Sequence, residues 1–141
     1  MHRPAPNART GFPSWAIAYL VIEIIAVLAF WAWLAFDPDA WRWFVIPGAP
    51  RSAFGVFAPA DVLLIAGLAA WCAWTLPRRA PASVVACAAH AGAVSYASIV
   101  ACTLSITHPQ LWPAAAMMLP MCVLALLILR RAWSGFEWTS R

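Results

Sequence analysis

Residues 15–36 read WAIAYLVIEIIAVLAFWAWLAF, an unbroken apolar run with a single ionisable residue, Glu23, near its middle. At ~1.5 Å rise per residue this stretch crosses a ~30 Å hydrocarbon layer as one helix. A carboxyl group at that depth costs on the order of 3 kcal/mol in lipid, so it needs a partner inside the protein. The run therefore sets the fold class and poses the first functional question.

Composition extends the same reading to the whole chain. Apolar residues make up 65%, charged residues 10%, and the mean hydropathy is +0.79. Those values belong to integral membrane proteins rather than to soluble domains of 141 residues. Three further apolar spans follow, at about 60–76, 82–106 and 110–132. The expected fold is all-α, an integral membrane four-helix bundle occupying 15–133, with an interfacial segment between helices 1 and 2. A polar arm at 1–14 precedes the bundle and a short tail at 134–141 follows it. Ser14, after Pro13, is in the position of an N-cap for the first helix.

Charge gives the orientation. All nine basic residues are arginine. Arg3, Arg9, Arg78, Arg79, Arg130, Arg131 and Arg141 fall on one side of the spans, and only Arg42 and Arg51 on the other. The positive-inside rule then places both termini and the PRRAP turn at 77–81 in the cytoplasm of a cell with a bacterial inner membrane. Because the arginines flank apolar spans, the net charge of +4 reads as orientation and not as nucleic-acid binding.

The connection DPDAWRWFVIPGAPRSAFGVFA, residues 37–58, is too long for a tight turn and too apolar for a solvated loop. Aromatic residues alternate there with Arg42, Asp39, Pro47, Gly48 and Pro50, as in a segment lying flat at the outer interface. Its prolines and glycines predict one or two short turns rather than a long helix. Most of the ten tryptophans fall at span ends and form aromatic belts. Trp41 and Trp43 are required by no span, and beside Arg42 they have the character of anchors on a protein contact surface.

The third span is built from alanine, glycine, serine and cysteine, residues that let helix backbones approach closely in lipid. It is expected to be the most enclosed helix. Counting from the arginine side, Glu23 is eight residues in from Trp15, His90 eight in from Ala82 and Cys122 eight from Arg130. All three then lie about 12 Å deep. Glu23 and His90 are natural partners, acting either as a register-fixing contact or as a proton relay or acid/base couple. Tyr19, one turn before Glu23, could donate to it.

Other chemistry is thin. The four cysteines, Cys72, Cys87, Cys102 and Cys122, form no CxxC pair and read as buried thiols. Asp61, soon after Pro59, reads as a first-turn acid favourable to the helix dipole. Asp37, Asp39, Asp61 and His108 share the outer side, but their spacing matches no metal-ligand pattern, and no metal is expected. Bis-histidine haem would need a second histidine at the depth of His90. No cofactor-binding signature is present. Pro120 should kink the fourth helix. The surrounding Met117, Met118 and Met121 are adaptable enough to shape a pocket for a lipid, quinone or carotenoid, so Tyr19, Met117 and Met121 are the candidate pocket residues.

Two functional classes follow. The first is an accessory or assembly subunit of a larger bacterial membrane complex, partnered by lipid and by other membrane subunits. The second is a small membrane enzyme or binder of an apolar lipid, isoprenoid or quinone-like molecule, with Glu23 and His90 as its acid/base pair. A transporter ranks third, since a four-helix chain would have to work as a dimer.

Overall fold

The computed structural model describes residues 12–135 apart from positions 38, 47 and 79. Residues 1–11 of the expected arm, residues 136–141 of the tail and Arg79 of the basic turn lie outside the described residues. Among the described residues every regular element is helical, and four helices are long and apolar enough to cross a membrane. The protein is a multi-pass membrane protein, all-α, with four antiparallel spans.

The first helix, α1, is Ser14–Phe36. Ser14 is helical rather than capping. The boundary residue is Pro13, whose extended backbone aims its carbonyl at the Ala16 N–H 3.1 Å away, with no side-chain cap. Ala16, Leu20, Glu23, Val27 and Leu34 form the buried stripe, at the three- and four-residue spacing that puts them on one face. Ile22 and Ile25 lie on the opposite, outward face. At the far end Asp37 turns the chain: its carboxylate accepts from Trp33 Nε1 at 3.1 Å and from the Asp39 N–H at 3.0 Å.

The connection that follows folds back over the bundle end as a 3₁₀ turn, Ala40–Trp43, and a short helix, Arg51–Gly55. Gly48, at φ +83°, makes the bend between them, a backbone state that favours glycine. Trp41 Nε1 donates to the Leu34 carbonyl at 2.6 Å, satisfying one of the carbonyls that the end of α1 leaves free. Phe44 lies edge-on to Phe30 at 4.9 Å, and Phe54 contacts both Trp31 at 5.5 Å and Trp41 at 5.8 Å. Such ring pairs contribute about 0.5–1.5 kcal/mol each beyond their burial.

The second span, α2, runs Phe57–Arg78. It begins earlier than the sequence suggested. Pro59 falls at its third position, where the missing N–H would have had no helical acceptor anyway. Residues Asp61–Ala66 form a π-helical turn, closed by the Gly67 N–H donating to the Val62 carbonyl. The remainder is α-helical to Thr75 and ends in a tight turn where Arg78 stacks on Trp74 and donates to its carbonyl.

The third span, α3, is Ala82–Thr107, and the fourth, α4, is Trp112–Ser134 after a 3₁₀ turn at Pro109–Leu111. That turn, closed by the Leu111 N–H on the His108 carbonyl, is why α4 starts at 112 rather than near 110. In α3, 39% of the most apolar stretch is buried, against 17% to 22% in the other three, so α3 is the central helix. Its small residues let α2 and α4 close on it. Pro120 lies inside α4. The carbonyls on either side of it receive hydroxyls from neighbouring helices: Met118 from Ser98 at 3.0 Å, Met121 from Tyr19 at 3.3 Å.

Candidate functional site

Two features stand out, one in each half of the bundle. In the half bearing Arg78, Arg130 and Arg131, α1 presents Glu23 and α3 presents His90 to the interior. Glu23 is 2% exposed and His90 1%. His90 Nε2 lies 3.1 Å from Glu23 Oε2, the one ion pair among the described residues. The contact is close but not aligned as a hydrogen bond, and neither Glu23 carboxylate oxygen has another partner among those residues. Tyr19 donates to the Met121 carbonyl at 3.3 Å, and the same hydroxyl stands close to the Glu23 carboxyl. In this setting a lone charge costs several kcal/mol, so each group depends on the other being close.

The packing around the pair is closed. Ala16, Leu20, Ala69, Cys72, Ala86, Cys87, Ile128 and Ala132 form one fully buried cluster.

The other half is open. A cavity of about 250 Å³ lies between α1, α2, α3 and α4 under the folded-back connection. Its wall is almost wholly apolar, with Trp31, Phe54 and Phe57 at one end and Met117, Met118 and Met121 along α4. The floor includes Val27 and Ala93, each one turn beyond Glu23 and His90 on the same helices. The ion pair therefore sits just beneath the cavity without lining it. Tyr19 does not line it either; it supports the floor through Met121.

Among the described residues, Asp61 is the sole carboxyl group in that wall. The π-helical turn carries Asp61, Leu64 and Ile65 to the cavity together. Widened turns of this kind recur at functional sites. Asp61 is not a capping residue here. Its Oδ2 accepts from Trp31 Nε1 at 3.2 Å, and Oδ1 has no partner among the described residues. The clue was available in the sequence: Trp31 and Asp61 lie toward the same end of their spans, and the depth count that joins Glu23 to His90 joins these two as well.

Comparison with protein-family models, curated proteins and solved structures gives no match.

Of the two contact-surface tryptophans, Trp41 is occupied in capping α1 and packing on Phe54. Trp43 stays 43% exposed with the Arg42 guanidinium stacked 5.2 Å from its ring. Among the described residues no three of His, Cys, Asp and Glu come together as a metal site.

Proposed function

We propose that this is an inner-membrane protein, with both termini cytoplasmic, that binds a small apolar molecule of lipid, isoprenoid or quinone-like character in its outer half. The cavity carries this reading. It is enclosed on several sides, apolar, built partly from adaptable methionines, and positioned at the four-helix interface where ligand sites in bundles form. The Glu23–His90 contact then acts as the register pin beneath the floor rather than as an acid/base pair.

The test is extraction from native membranes in mild detergent, with mass spectrometry of small molecules that stay bound. A single class of apolar molecule should accompany the wild type and be absent from Ala97→Phe, which fills the cavity. Equal recovery of ordinary membrane lipid from both proteins would end the reading. Orientation is checked by impermeant thiol labelling in spheroplasts, which should reach Ser52→Cys and spare Ser134→Cys.

A second reading, an accessory subunit of a larger membrane complex, is favoured by exposed Trp43 with its stacked Arg42. Aromatic and arginine side chains together are typical of interface anchors. A stoichiometric protein partner lost on Trp43→Ala would establish it.

A further inference from the structure

The cavity wall is apolar but not neutral in its preferences. Its one carboxyl group stands beside three aromatic residues, Trp31, Phe54 and Phe57, with Trp31 and Phe54 at 5.5 Å and Phe54 and Phe57 at 5.9 Å. One carboxylate oxygen is held by the Trp31 indole and the other is left without a donor. Among the described residues, Arg42 and Arg51 do not line the cavity, and neither pairs with Asp61.

Resting on the cavity-binding reading, we infer that the ligand carries a protonated amine, which Asp61 receives while the apolar body lies along the methionines. Charge complementarity supports this choice. A carboxylate with a free acceptor forms its strongest bond with a cationic N–H donor. Neighbouring aromatic faces add cation–π attraction, which is larger where water is excluded. An anionic head would meet Asp61 with like charge and no arginine to offset it. Size sets what can lie inside: a cavity of about 150 Å³ takes one benzene, so about 250 Å³ holds a ring and a short chain.

Three probes share one body and differ in the head: 4-phenylbutylamine, 4-phenylbutanol and 4-phenylbutanoate. Each is equilibrated by dialysis against the full-length protein in phosphatidylcholine nanodiscs, with empty nanodiscs as the blank. The expected protein-dependent uptake is amine above alcohol above acid, with the amine at least tenfold over the acid. Asp61→Asn, which keeps an acceptor for Trp31, should bring the amine down to the level of the alcohol and leave the alcohol unchanged. Equal uptake of all three heads, or preference for the acid, would overturn the amine assignment while leaving a cavity binder. No protein-dependent uptake of any probe would overturn both. Should Asp61→Asn fail to fold, the wild-type ranking alone decides, and Ala97→Phe must abolish uptake of all three.

Discussion

The two halves of this bundle use the same helices to opposite ends. In the arginine half the small face of α3, Ala86 and Cys87, meets equally small residues on α2, Ala69 and Cys72, and the backbones close until nothing is left open. In the aromatic half the small face continues through Ala93, Ala97 and Ala101, but there it borders a cavity. The difference lies in what stands opposite. There the rings of the 37–58 connection pack on the end of α1, and the turn of α2 is widened. Small residues bring helices together only where the facing surface is small too.

The most disruptive way to test this contrast is to break the pin in the closed half. Glu23→Gln or His90→Ala should each cost about 3–5 kcal/mol, since the remaining partner would be buried alone. Thermal unfolding in detergent reads the loss. The double variant Glu23→Gln/His90→Asn should recover much of it. A fully stable single variant would mean that the closed half does not depend on the pair.

In the open half the corresponding change is Trp31→Phe, which keeps the ring but removes the donor to Asp61. The expected loss is about 1–3 kcal/mol from a half-buried acceptor left unpaired. Asp61→Leu on top of it should return part of that loss. A cost that exceeds the Glu23→Gln value would reverse the ranking of the two halves.

Much of this was legible in the sequence, and for a physical reason. A membrane span must satisfy its own backbone, so length and apolarity alone mark it. Depth counting found Glu23 opposite His90 because both helices are continuous and rise evenly. The aromatic half escaped because its geometry depends on breaks in that regularity. The π turn at Asp61–Ala66 has no residue signature. The fold-back of 37–58 is set by Gly48 and by ring contacts distant along the chain. Met117 and Met121 were marked for a pocket by the proline between them, Pro120, while helix spacing placed Tyr19 beside Glu23 but gave no sign of its bond to Met121.

Smaller effects sharpen the edges. Trp41→Phe removes the bond to the Leu34 carbonyl and trims the contact with Phe54, and should lower stability by about 0.5–1.5 kcal/mol. In thiol labelling, Ser52→Cys should become more reactive as the connection loosens. Gly92→Ala should be nearly silent, within about 0.5 kcal/mol. A Cβ there meets nothing within 4 Å. A large loss from Gly92→Ala would show that α3 presses against something outside this chain.

The ion pair also bears on how the chain is made. Glu23 and His90 are 67 residues apart in the sequence. At ~5–20 residues per second, α1 waits roughly 3–13 seconds for α3 to be synthesised. During that interval its carboxyl group faces lipid or the insertion machinery unmatched, against the pull of a helix whose mean hydropathy is 2.3. The apolar excess of α1 is what lets it hold its place in the bilayer until its partner arrives. A chain truncated before Ala82 should therefore leave α1 inserted but exposed to quality-control proteolysis, and release of a chain extended past Thr107 should end that vulnerability.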